Sequence, residues 1–113
     1  MSHMFAKWDV WLASVTYEDE PNRRKPRPVL IAGDCVFVIG AYKMTSHAPR
    51  DDNEYTLVDN LTAGLRVPTT IRFSKYLSLE QSDMIRRLGR ISMRDAMAIQ
   101  DILKRIDRRN RKP

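Results

Sequence analysis

Apolar residues come in short bursts separated by polar, proline-bearing stretches, which for most of this chain predicts strands rather than helices. Trp8-Asp9-Val10-Trp11-Leu12-Ala13-Ser14-Val15 is aromatic and β-branched and predicts a first strand. The stretch from Tyr17 to Pro26 is polar, holds two prolines and has no periodicity, so it predicts a loop, acidic first and basic second. Val29-Leu30-Ile31-Ala32 reads as a short apolar strand, Gly33-Asp34 as turn chemistry, and Cys35 to Tyr42 as the strand that completes a hairpin. A second polar loop runs from Thr45 to Asn53, and Tyr55 to Val58 reads as a strand. Asp59 to Leu65 predicts one helical turn ended by Gly64. Thr69-Thr70-Ile71-Arg72-Phe73 alternates like a half-buried strand, and Tyr76 to Leu79 and Ile85 to Ile91 read as further short strands.

One segment breaks this rhythm. Ala96, Ile99, Leu103 and Ile106 recur at helical spacing, with Met97 and Ile102 flanking that face and Arg94, Lys104, Arg105 and Arg108 elsewhere. Ser92 is a good N-cap, and Asp95 three residues on completes a box-like start. The fold class predicted is mainly β with α: five to seven short strands in a barrel-like antiparallel sheet, with a C-terminal helix over one face. The 113 residues suit one core. The expected organisation is a cloning remnant and native start over 1–4, one domain over 5–107, and a basic tail over 108–113.

Composition narrows the chemistry. An apolar content of 42% is ordinary for a globular protein. Cys35 is the single cysteine, so no internal disulfide and no multi-cysteine zinc site is available, which fits a reducing, cytoplasmic setting. Its apolar neighbours favour a buried small side chain over a reactive thiol. No apolar run approaches the roughly 20 residues a membrane span needs. Residues 1–82 carry ten basic and ten acidic residues, whereas 83–113 carry ten basic and four acidic, the whole net charge of +6. That third suits either a polyanionic or acidic partner, or a plain solubilising surface. Phosphate-binding glycine loops, metal-spaced His/Cys clusters and serine-hydrolase elbows are all missing from the sequence.

What remains is two polar stretches beside the apolar hairpin. Arg27 stands between Pro26 and Pro28, which stiffen its backbone and suit a sheet edge. A fixed guanidinium grips phosphate in a bidentate way, and the competing reading is an ion pair with Glu18 or Asp19. Pairing of the hairpin strands brings Thr45 to the same end as Arg27. Thr45 and Ser46 offer hydroxyls, or serve as turn formers, and His47 is either a group titrating near neutrality or a surface histidine.

In their order and spacing, Trp8-Asp9-Val10-Trp11, Lys25-Pro26-Arg27-Pro28-Val29-Leu30-Ile31 and Lys43-Met44-Thr45-Ser46-His47 resemble the PemK/MazF toxins. Ala63-Gly64-Leu65, Ile71-Arg72-Phe73-Ser74-Lys75 and Leu88-Gly89-Arg90-Ile91-Ser92 resemble later segments of that family. Trp8 stands where the family usually has glycine, and the loop from Thr16 to Lys25 lacks the family's glycine-serine sequence. The resemblance implies an SH3-like, CcdB-like barrel and a cofactor- and metal-independent endoribonuclease toxin. It implies catalytic roles for Arg27 and Thr45, to which Ser46 and His47 are added as candidates from their position. Tyr17, Arg23, Arg24, Lys25, Arg72 and Lys75 are the candidates for binding single-stranded RNA by stacking and charge. It also implies a homodimer and a cognate antitoxin with an acidic segment. The alternatives are a non-catalytic nucleic-acid binder and a gyrase poison of the same fold.

Overall fold

The computed structural model describes residues 5–17, 19–34 and 38–111, so expectations that fall on Glu18, Cys35 or the terminal segments 1–4 and 112–113 lie outside the described residues. The chain forms strands β1 (Asp9–Thr16), β2 (Arg24–Asp34), β3 (Ile39–Thr45), β4 (Glu54–Thr56), β5 (Thr70–Leu79) and β6 (Met84–Arg90), then helix α1 (Met93–Arg111). All six strands join one antiparallel sheet in the order β4-β5-β3-β2-β1-β6. The mainly-β architecture with a closing helix is the expected one. The sheet is open, with β4 and β6 at its two edges, instead of closing into a barrel.

Strand β2 explains why its apolar run is continuous. Successive residues of a strand point to opposite faces, and both faces here are covered. Leu30 packs with Val10, Ile71 and Phe73 under Ala96 and Ile99 of α1. Val29 and Ile31 pack on the other side with Ala13, Val15, Ile39, Ala41 and Leu79. All three β2 side chains are fully buried.

Several boundaries differ from the pattern-based reading. Gly33 and Asp34 are paired with Gly40 and Ile39, so they end β2 and do not form the turn. The expected strands at 69–73 and 76–79 are one strand. Tyr42 pairs with Tyr76 but Lys43 pairs with Arg72, and the extra β5 residues at this register shift break the alternation. Helix α1 continues to Arg111, into the segment expected as a tail. Met97, expected beside its apolar face, is 60% exposed.

Two backbone features set the ends of the sheet. Trp8 has φ 77°, a left-handed conformation that costs a side-chain-bearing residue roughly 1–2 kcal/mol. That accounts physically for the glycine usual in resembling sequences, since glycine adopts it without strain. The Trp8 amide donates to the Ile31 carbonyl (3.0 Å), and its carbonyl accepts from the Ile91 amide (3.1 Å), so the strained residue ties β2 to the start of α1. Gly64 has φ 82° and ends the turn that begins at Asp59, as expected. A side chain at Gly64 would collide with the Leu88 carbonyl oxygen, and one at Gly89 would lie 2.6 Å from the Ala63 carbonyl carbon. The 59–65 loop therefore rests backbone-to-backbone on β6.

Ser92 caps α1 through its hydroxyl, which accepts from the Asp95 amide (3.2 Å). Asp95 does more than complete a box. It is fully buried, and its carboxylate accepts from the Tyr55 hydroxyl (2.7 Å) and from the Val58 and Asp59 amides (both 2.9 Å). Burial, then the Asp95 hydrogen bond, raises the Tyr55 pKa. Among the described residues no helix is long and apolar enough to cross a membrane.

Candidate active site

The ladder between β2 and β3 has its last pair toward the start of β2 at Val29 and Lys43. Beyond it come Pro28, Arg27 and Pro26, which remain paired only with β1, opposite Leu12, Ala13 and Ser14. Alternate residues of an antiparallel strand bond to alternate neighbours. Two prolines two apart thus remove donors on one side, and the β3 side is where the ladder is missing. The sheet opens there into a cleft of about 540 Å³.

Four walls meet in this cleft. Strand β2 contributes Lys25, Arg27, Pro28 and Val29, and the end of β1 contributes Val15, Thr16 and Tyr17. The end of β3 and the following loop supply Lys43, Met44, Thr45, Ser46 and His47. The β4–β5 connection adds Leu65, Arg66, Val67 and Thr69, and Arg72 comes from β5. The lining contains five lysines and arginines and no carboxylate.

The expected catalytic group is thus brought together. Arg27 is exposed, and among the described residues it has no hydrogen-bond or ion-pair partner, so the ion-pair reading with Asp19 is not what forms. The Thr45 hydroxyl accepts from the His47 amide (3.2 Å), a turn contact that still leaves its own proton to donate. Ser46 and His47 are exposed beside it.

The expected binding residues divide. Tyr17 and Lys25 line the cleft, with the Lys25 ammonium 4.1 Å from the Tyr17 ring centroid and the Arg23 guanidinium carbon 4.8 Å from it. Two cations therefore lie against the Tyr17 ring. Arg23 is outside the cleft lining and pairs with Glu20 (2.9 Å). Arg24 is turned away by the strand pleat. Its Nη2 donates to the Asp83 carboxylate (2.6 Å) and the Ser14 carbonyl (2.7 Å). Arg72 lines the cleft but its Nε holds the buried Glu54 carboxylate at 3.1 Å. Glu54 also accepts from the Arg50 amide (3.0 Å), which ties the 46–53 loop to β5. Lys75 sits in the irregular part of β5, outside the lining.

Lys43, Arg66, Val67 and Thr69 were not singled out by sequence reasoning. Lys43 had a usable signal, because it is two residues before Thr45 on one strand and so shares its face. Arg66 had none, since its place depends on Gly64 resting on Leu88, a contact between residues far apart in sequence.

Fold and cleft together define a small sheet-and-helix protein with a basic pocket at one open end. The sequence model of the PemK-like, MazF-like toxins of type II toxin–antitoxin systems matches residues 6–106. The chain belongs to that family. No curated protein sequence matches it. The fold is similar to that of the Mycobacterium tuberculosis toxin MazF-mt6, with a TM-score of 0.67 and 16% identity over 84% of this chain and 91% of that one. It is also similar to an endoribonuclease solved in complex with its cognate antitoxin from a mycobacterial species, with a TM-score of 0.66 and 12% identity over 86% of this chain and 88% of that one.

Proposed function

We propose that this toxin is an endoribonuclease that cuts single-stranded RNA, mRNA among it, within a short sequence motif. The observation that carries this reading is the unpartnered Arg27 in one cleft with Thr45, Ser46 and His47. The ribose 2′-oxygen bonds to the adjacent phosphorus as the bond from phosphorus to the 5′-oxygen breaks. The 2′-hydroxyl loses its proton, and the departing 5′-oxygen gains one. The products are a 2′,3′-cyclic phosphate and a 5′-hydroxyl end, with no water or cofactor consumed.

Arg27 stabilises the charge that builds on the phosphoryl oxygens, as a preorganised donor does. It is not a proton shuttle, because a guanidinium stays protonated. Thr45 donates its hydroxyl proton to the same oxygens, and Ser46 adds a second hydroxyl. His47 is assigned the proton transfer. Lys25 and Arg72 surround the phosphates with positive charge, and Tyr17 offers a ring for a base.

The partner expected for a family member is an antitoxin whose acidic segment fills this basic cleft. The solved complex of a mycobacterial endoribonuclease with its cognate antitoxin supports an antitoxin partner. A homodimer acting in the cytoplasm completes it. The test is incubation of the purified chain with a varied single-stranded RNA pool in EDTA. Cleavage is expected, and binding without cleavage would assign the cleft to a plain nucleic-acid binder. His47→Ala is expected to slow cleavage about 10²-fold and to remove one limb of the pH–rate profile. An unchanged profile would return His47 to the role of a surface residue.

A further inference from the structure

The cleft contains a second guanidinium without a partner. Arg66 is exposed, and among the described residues it makes no hydrogen bond or ion pair. Its backbone is nevertheless held firmly. The Leu65 amide donates to the Asn60 carbonyl (2.9 Å), and the Asn60 side-chain amide donates back to the Leu65 carbonyl (2.7 Å). On the other side of Arg66, the buried Thr69 hydroxyl donates to the Val67 carbonyl (2.9 Å). Leu65 is buried in the core, and the preceding Gly64 rests on Leu88. A solvated arginine needs none of this scaffolding. The same clamped segment also turns Val67 outward, 54% exposed although apolar, into the cleft lining.

We propose that Arg66 and Val67 form a nucleotide subsite of the cleft, distinct from the reacting phosphate at Arg27. Arg66 binds a phosphate flanking the one that is cut, and Val67 packs against a base. Two free guanidiniums on separate walls match a chain with regularly repeated anions. The exposed apolar residue between clamped carbonyls matches a ligand that carries a flat apolar face beside each anion. A nucleic acid strand has both features at every residue, whereas an acidic peptide has an apolar face only where its sequence supplies one. This inference rests on the RNA reading of the cleft, and it makes Arg66 a positioning residue with no part in the bond exchange.

The test uses single-stranded 2′-O-methyl RNA of mixed sequence, about 12 nucleotides long. Its blocked 2′-oxygen prevents the proposed cleavage, so binding is measured alone, from about 50 to 200 mM salt. Arg66→Ala is expected to weaken binding about tenfold and to reduce the slope of log affinity against log salt by about 0.7, the loss of one phosphate contact. Arg66→Lys is expected to keep the slope. Val67→Ser is expected to weaken binding about threefold with the slope unchanged, because it removes apolar contact and no charge. With cleavable RNA, Arg66→Ala is expected to act chiefly on KM, in contrast to loss of kcat at Arg27. Unaltered affinity and slope in Arg66→Ala would overturn the subsite even if the wild-type chain cuts RNA. A wild-type chain that binds but does not cut removes the nuclease reading, and the binding arm still decides the role of Arg66. A loss seen only in competition with poly-L-glutamate would assign Arg66 to an acidic protein and overturn the proposal.

Discussion

Arginines at the two ends of this molecule have opposite fates. In the C-terminal third, which carries the whole formal surplus of +6, four of the eight are committed to the fold. Arg87 and Arg90 hold the buried Asp9 carboxylate at 3.3 and 2.9 Å. Arg94 holds Asp59 at 2.8 Å, and Arg105 donates to the Asp52 carbonyl at 2.8 Å. In the cleft, Arg27 and Arg66 come from the part of the chain whose charges sum to zero, yet neither has a partner among the described residues. Net charge per segment therefore does not locate the basic cleft. What distinguishes the cleft is a lining of five lysines and arginines without a carboxylate, whereas part of the C-terminal surplus serves as structural pairing.

This contrast can be broken most sharply at Arg27. Arg27→Ala is expected to lower cleavage about 10²–10³-fold. Because Arg27 touches no partner among the described residues, the same variant should keep its stability within about 0.5 kcal/mol, measured by denaturant unfolding. A large loss of stability would place Arg27 with the structural arginines instead.

Glu54→Ala works in the other direction, removing the carboxylate that an engaged arginine holds. The pair with Arg72 is buried, with side-chain exposures of 17% for Arg72 and 4% for Glu54. Removing one partner of such a pair costs about 3 kcal/mol. Unfolding should show that loss, and the 46–53 loop that carries His47 should open, since Glu54 also holds the Arg50 amide. Cleavage is expected to fall despite the added net charge. Faster cleavage would show that charge alone governs the site.

Asp59 offers the smallest and most selective test. Hydrogen bonds from Arg94, then from Ser92, hold its pKa below the usual carboxylate value. A group depressed in the folded state stabilises above its unfolded pKa, roughly 3.9, and loses that contribution as pH falls through the lower folded value. Asp59→Asn should therefore lower Tm modestly at neutral pH, with the gap to wild type closing in acid. A gap that widened on acidification would reverse the assigned sign.

Much of this was legible in the residues themselves. The periodicity of Ala96, Ile99 and Leu103 predicted α1, and the Ser92 cap is where the pattern placed it. Prolines around Arg27 marked the open edge of β2, because the missing donors act locally. The hairpin turn was misplaced, since Gly33 and Asp34 carry turn chemistry but sit in the ladder. The division of β5 into two strands failed because a register shift hides the alternation. Arg24 looked equivalent to Lys25 and Arg27 in sequence, yet the pleat turns it toward Asp83. Arg66 and the buried burden on Asp95 depend on contacts between distant segments, which no local pattern records.

The central claim is that an unpartnered Arg27 makes this cleft a site of RNA transesterification. Mapping the ends of a long single-stranded RNA treated with the wild-type chain and with Arg27→Ala, both in EDTA, tests it most directly. The expected result is a set of fragments with 5′-hydroxyl and 2′,3′-cyclic phosphate ends at a shared short motif for the wild type, and intact RNA for the variant. Fragments with 5′-phosphate ends, or equal cleavage by the variant, would contradict it.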